Sequence, residues 1–202
     1  MKVTKPSINE PRRAYQQGAR ALAAEATGER IVDAFTAQLE SRRFEDITLD
    51  EIAADAGVTR QTVIRRFGDK MGLMRAVSEH IGKSVRATRS SVVSDHPQHA
   101  VAMLVLDYEK TGDLLISVLA EEDRSPELSE ILNIGRAGHA SWVAETFSPH
   151  LAHLTPDARS LRLTQLQIVT DVWVWRILRR DQKRRVQDVE LIINDLVKQL
   201  LA

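Results

Sequence analysis

The chain of 202 residues contains no cysteine. That excludes disulfides, thiolate metal sites, a cysteine nucleophile and thiol-based redox sensing. Proline is scarce, with six in the chain, and most sit where helices would begin or end. No apolar run approaches 18 residues, so no membrane span is expected. The first thirteen residues are polar and lack the apolar stretch of a secretory signal. Net charge is zero, with 28 basic and 28 acidic side chains, so the whole-chain balance identifies no partner. Motifs of catalysis are missing too: no Gly-x-Ser-x-Gly elbow, no phosphate loop, no Gly-x-Gly-x-x-Gly after a strand, no His-Glu-x-x-His helix. These absences leave a soluble, cytoplasmic, non-enzymatic protein as the expectation, with no catalytic residue and no cofactor.

What is present is helical and uneven in charge. Residues 1–90 carry sixteen Lys/Arg against twelve Asp/Glu, and residues 91–202 carry twelve against sixteen. A basic module joined to an acidic one is the pattern, and only the basic one suits a polyanion. Ile31, Phe35 and Leu39 share a helical face, as do Leu73, Val77, Ile81 and Val85. Thr48 and Glu51 have capping-box spacing. Ser125-Pro126 and Thr155-Pro156 each put a capping hydroxyl before a proline at the first helical position. Asp95, His96 and Pro97 mark a break between the halves. Nine or ten helices and no sheet are expected, an all-α fold.

Residues 48–70 concentrate the chemistry. A short helix from Thr48 to Ala56 buries Leu49, Ile52 and Ala53; Gly57 supplies the positive φ of a tight stop; Val58 plugs the corner. Thr59 then caps a second short helix, Arg60 to Phe67, which turns Val63 and Phe67 inward and Arg60, Gln61, Thr62, Arg65 and Arg66 outward. Two short helices about a glycine corner form a helix-turn-helix. Arg and Gln make bidentate hydrogen bonds to guanine and adenine edges. The alternative is a helical hairpin with a solvated polar face.

The segment Ile-Thr-Leu-Asp-Glu-Ile-Ala-Ala-Asp-Ala-Gly-Val-Thr-Arg-Gln-Thr-Val-Ile-Arg-Arg-Phe-Gly-Asp-Lys at 47–70, within residues 30–75, resembles the DNA-binding domain of the tetracycline-repressor (TetR) family. The family's pattern has Ile-Ala before Gly-Val-Ser/Thr, an aromatic-His-Phe run, and a Lys opening the fourth helix. Here Ile64 replaces the usual tyrosine and Arg66 the usual histidine. The resemblance implies that Thr48 and Lys70 contact phosphates, and that Arg60, Gln61, Thr62 and Ile64 approach base edges. Thr59 caps the reading helix, and Arg65 and Arg66 offer charge in place of the tyrosine's phosphate contact.

It also implies three units: an extension (residues 1–25), the DNA-binding domain (26–72), and an effector-binding and dimerisation domain (73–202). The expected function is a ligand-responsive regulator, a repressor by family habit, that binds a palindromic double-stranded DNA operator as a homodimer. A small apolar effector, unidentified, releases it. The alternative is an architectural DNA-binding protein that needs no effector. The last two helices would form the dimer interface, through Leu161, Ile168, Val172, Trp175, Val189, Ile193, Leu196 and Leu200. A helix from Thr155 to about Arg180 is apolar on two sides, a second stripe on it holding Leu166, Val169, Trp173 and Ile177; two apolar sides suit either a partner or a fully buried central helix. The effector pocket would draw on Met103, Leu106, Tyr108, Leu115, Leu119, Ile134, His139, Trp142, Phe147 and Trp173, each of which is also plausible as plain core.

Four features have plainer readings. Residues 1–25 form either a helical basic arm carrying Arg12, Arg13 and Arg20 or a mobile charged tail, and the tail is the simpler choice. His96-x-x-His99 and His150-x-x-His153 lack a third ligand, so no metal is expected. Glu121-Glu122-Asp123 reads as a solvated helix end. The basic cluster Arg179, Arg180, Lys183, Arg184 and Arg185 reads as a complement to a helix C-terminus.

Overall fold

The computed structural model describes residues 10–90 and 96–202, and all their side chains except those of residues 10–17, 19, 20, 89 and 90. The helices are α1 (Glu10–Leu39), α2 (Leu49–Asp55), α3 (Arg60–Phe67), α4 (Lys70–Ser90), α5 (Pro97–Leu119), α6 (Pro126–Phe147), α7 (Pro156–Val169), α8 (Val172–Arg176) and α9 (Val186–Leu201). There is no strand among the described residues, and no described helix is long and apolar enough to cross a membrane.

Local chemistry sets most of the helix starts. Thr48 accepts from Glu51 N while the Glu51 side chain returns to Thr48 N, a complete capping box. Thr59, Ser125 and Thr155 each accept the backbone N–H three residues on, and Pro126 and Pro156 stand at the first helical position. Gly57 closes α2 with φ of 65°, a conformation that costs a side-chain-bearing residue energy. From Glu10 onward the extension is helical, as the first turns of α1, and residues 1–9 lie outside the described residues. The side chains of Arg12, Arg13 and Arg20 lie outside the described residues, as does Asp95 at the break between the halves.

The long helix expected over residues 155–180 is interrupted. Thr170 ends α7, its hydroxyl bonded back to Leu166 O at 2.7 Å. Asp171 then caps a new helix by accepting from Trp173 N at 2.9 Å. The chain leaves α8 through a π-helical turn, Ile177–Asp181. Restarting rotates the later residues, so Val172, Trp175 and Leu178 join Leu166 in the core while Leu161 and Ile168 stay exposed at 60% and 61%.

Two apolar cores result. One gathers Ile31, Phe35, Leu39, Ile52, Val63, Leu73 and Val77 from α1–α4, and extends into Leu114 and Val118 of α5 and Leu128, Ile131 and Leu132 of α6. The other packs Val101, Leu104, Val105 and Tyr108 of α5 against Phe147, Leu166, Trp175, Val189 and Ile193. Helix α5 therefore runs through both, and the core beneath the helix-turn-helix does not stop at residue 72.

Trp175 fixes the second core. Its indole lies on Gly112 so closely that a Cβ there would collide with the ring. Its Nε1 donates to Glu109 Oε1 at 2.7 Å, and Arg179 grips both oxygens of the same carboxylate at 2.7 and 3.0 Å. Burial pushes the Glu109 carboxyl up, but these donors outweigh it and hold it below the ordinary range. Arg180 pairs with Asp113 at 2.8 and 2.6 Å. The basic cluster thus has a role that its local sequence does not show: two of its arginines tie the π-turn to α5.

Candidate nucleic-acid interface

Helix α3 is held by one apolar edge and presents the rest. Val63 is fully buried, and Phe67 packs partly against the same core. Arg60, Gln61, Ile64, Arg65 and Arg66 are exposed along the helix, with Thr48 and Thr59 exposed at the starts of α2 and α3. An exposed Ile64 flanked by Gln61 and Arg65 has no partner side chain to explain it within this core, and it suits a thymine methyl. Arg60 makes one weak tether, Nη1 to Asp50 Oδ2 at 3.6 Å between exposed side chains. Such a pair contributes little in water and exchanges easily for a base edge or a phosphate.

Behind this face, a polar bracket holds α2 to α1. Gln38, 8% exposed, donates to Asp55 Oδ2 at 2.6 Å. Arg42 reaches Gln38 Oε1, Asp46 O and Glu51 Oε1, at 3.4, 2.6 and 3.1 Å. Glu51 thereby receives the Thr48 hydroxyl at 2.7 Å, the Thr48 N–H at 2.9 Å and the Arg42 guanidinium. Those donors, Thr48 first, lower its carboxyl to about 2.

Two of the expected DNA contacts are otherwise engaged. The Lys70 ammonium donates to Phe44 O, Glu45 O and Ile47 O at 2.6, 3.2 and 2.9 Å. It also lies 4.4 Å from the centre of the Phe44 ring. An ammonium has three N–H groups, and here all three face carbonyls. Burial lowers its pKa, against the opposing pull of Glu121, Glu45 and Asp46. Thr62 is half-buried and shares its hydroxyl with the Thr59 cap at 3.0 Å.

Arg66 has an unexpected seat. Its guanidinium lies against α1 at Gly28, where a Cβ would strike it. An open hollow of about 350 Å³ follows, lined by Ala24, Thr27, Thr62, Arg65 and Arg66. Glycine inside a helix costs stability, and Gly28, one of two glycines in α1, is the sequence signal of this close approach.

The residues expected to line an effector pocket range from fully buried to exposed. Phe147 is fully buried and Tyr108 nearly so, its hydroxyl on Thr170 O at 3.0 Å. His139 Nε2 meets the Thr170 hydroxyl at 3.1 Å, and its ring stacks on Trp142 with centres 5.6 Å apart. Met103, Leu115 and Leu119 are half-buried, whereas Leu106, Ile134 and Trp173 face outward at 42%, 68% and 42%. A hollow of about 360 Å³ lies between His96, Pro97, Gln98, Asn194, Val197, Lys198 and Leu201. The interface set divides as well. Val172, Trp175, Val189 and Ile193 are core residues of their own chain, which removes them from any surface. Leu161 and Ile168 are exposed and Leu196 and Leu200 half-buried, and Leu191, not anticipated, is 68% exposed. Among the described residues no cluster of three or more metal-ligating side chains occurs.

Sequence reasoning also missed Glu121. It is not solvated: it is 6% exposed and accepts Phe44 N–H at 2.9 Å.

Residues 31–77 match the family model of bacterial regulatory proteins, tetR family. A transcriptional regulator from Rhodococcus sp. Rha1 superposes with a TM-score of 0.67 at 17% identity, over 86% of this chain and 95% of that one. A SmeT–triclosan complex superposes at 0.65 and 19% identity, over 85% and 90%. The fatty acid degradation regulator FadR from Bacillus halodurans gives 0.57 and 17% identity, over 87% and 94%. At these identities the likeness is one of fold. No curated protein matches the chain.

Proposed function

We infer from a chain that carries a tetR-family DNA-binding domain within the helical fold of such regulators that it is a ligand-responsive repressor. It is not an enzyme. It acts in the cytoplasm on double-stranded DNA, as a homodimer on a palindromic operator. The observation that carries the reading is the exposed polar edge of α3, where Arg60, Gln61 and Arg65 flank Ile64 on a helix buried through Val63. Arg60 and Gln61 supply the base-edge hydrogen bonds, Ile64 the methyl contact, and Arg65 and Arg66 the phosphate attraction.

A second copy is supported by Leu161 and Ile168 of α7 and Leu191 of α9, large apolar side chains left in water. Release by a small apolar molecule rests on the family, and one structural neighbour is a complex with triclosan. In this chain such a molecule is expected to enter between α5, α6 and α7, where His139 stacks on Trp142, Trp142 meets Phe147 and Tyr108 donates to Thr170 O. By linkage, an effector that favours that opened state lowers operator affinity, and operator lowers effector affinity by the same factor.

The test is Arg60→Ala on the preferred operator and on a scrambled duplex. Loss of about 1–3 kcal/mol confined to the operator, with relaxed preference at one base position, is the expected result. Equal losses on both duplexes contradict the assignment.

A further inference from the structure

Glu121 belongs to the turn that ends α5, and it is one of the few buried charged side chains among the described residues. Its bond to the Phe44 amide joins residues 77 positions apart. The second oxygen, Oε2, is buried with no hydrogen-bond partner. Burying a carboxylate for a single neutral donor is unfavourable unless charge nearby offsets it. The offset comes from Lys70, whose ammonium interacts favourably with the Glu121 charge.

Lys70 grips the same turn from the other side. Phe44–Asp46 form one 3-10 turn, whose amide end is held by Glu121 and whose carbonyls at Phe44 and Glu45, with that of Ile47 just after it, are held by Lys70. That turn runs straight into Thr48, the cap of α2, and α2 carries α3 through the Gly57 corner. The other end of the tie is also fixed. Glu122 receives Arg136 and Ser129 of α6, the latter at 3.0 Å, so the corner between α5 and α6 moves with α6. A displacement of that corner is delivered to Phe44 by a hydrogen bond, a directional contact, in addition to the apolar core.

We propose that Glu121 is a positioning residue for operator binding: by tying the Phe44 amide to the corner of α5 and α6, it sets the angle at which each subunit presents α3. The proposal rests on the reading of the chain as a dimeric operator-binding regulator. Contacts within one half-site depend on α3 itself. Simultaneous fit to two half-sites depends on the angle between each reading domain and the body of the dimer.

The experiment compares the full-length wild type, Glu121→Ala and Glu121→Gln on two duplexes, a full palindromic operator and a single half-site. The Phe44 amide proton is followed by NMR in the absence of DNA. Glu121→Ala is expected to expose the Phe44 amide to solvent exchange and weaken the full operator about tenfold, leaving the half-site within about twofold. Glu121→Gln keeps an acceptor oxygen at the same reach, and it restores full-operator affinity to within about threefold. Equal weakening on both duplexes, or a Gln variant no better than the Ala variant, overturns the proposal. Should Glu121→Ala fail to fold, Glu122→Ala removes both the Arg136 and the Ser129 bonds that tie the corner to α6; it must weaken the full operator and spare the half-site, and unchanged operator binding contradicts the tie. A wild type that prefers no operator refutes the proposed function instead, and the Phe44 amide still reports whether the tie exists.

Discussion

Replacing Lys70 with alanine separates two roles that its sequence position leaves open. As a phosphate contact it would contribute affinity and almost no stability. The structure has its three donors on carbonyls, which predicts the reverse. Hydrogen bonds to a charged group contribute about 1.5–3 kcal/mol each. The bond to Glu45 O is exposed, and water replaces it at little cost. The bonds to Phe44 O and Ile47 O are the shorter two and partly buried, so together they come to ~3–6 kcal/mol before the cost of desolvating the ammonium. Discounting by about half for that cost and for partial solvent screening leaves ~1.5–3 kcal/mol, roughly a ten- to 150-fold fall in the folded-to-unfolded ratio. Urea unfolding at fixed protein concentration reads this as a lower midpoint with an unchanged slope. In parallel, the slope of log affinity against log salt is expected to stay put, since no phosphate contact is removed. A Lys70→Ala protein within ~0.5 kcal/mol of wild type, with a salt slope lower by about one, would refute the reasoning and return Lys70 to the DNA backbone.

Two further outcomes follow from the same geometry. Gly28→Ala displaces the Arg66 guanidinium from α1 while raising helix propensity; thermal unfolding should show a gain of up to ~1 kcal/mol, and filter binding should show affinity falling about equally on operator and scrambled DNA. Unchanged affinity would mean that the Arg66 seat does not serve binding. The Glu51 carboxyl, held at about 2 against an ordinary 4.5, adds stability that is fully present above pH ~4.5 and lost as pH falls toward 2. Urea midpoints of wild type and Glu51→Gln should therefore differ at neutral pH and converge toward pH 2, and a gap that stays constant over that interval contradicts the assignment.

The parts of this fold legible in the sequence are those written within three or four residues. Thr48 with Glu51, Gly57, and Thr59 with Thr62 each bond inside one helical turn, so residue type and spacing are sufficient. Lys70 and Glu121 depend on Phe44, 26 and 77 positions away, and nothing local distinguishes a carboxylate bound for a core from a solvated one. The break after α7 falls between these cases. Thr170 and Asp171 are residues that close and cap helices, but the flanking apolar residues kept helical periodicity, and the periodicity concealed the restart. That restart in turn moved Val172 and Trp175 from an expected surface to the core. The surface of α3 was legible because capping and burial of one edge settle what the remaining side chains face. An effector pocket is not written locally in this way, because it is a space between helices and depends on how far apart they stand.

The most direct test of the central claim is selection of bound sequences from a randomised duplex pool by the purified full-length protein, followed by titration of the winner and a scrambled copy at near-physiological salt. The account predicts a palindrome whose half-sites are centred about 34–36 Å apart, or a multiple of one helical turn, bound far more tightly than the scrambled copy. Uniform binding without an enriched sequence, vanishing as salt rises, would contradict it.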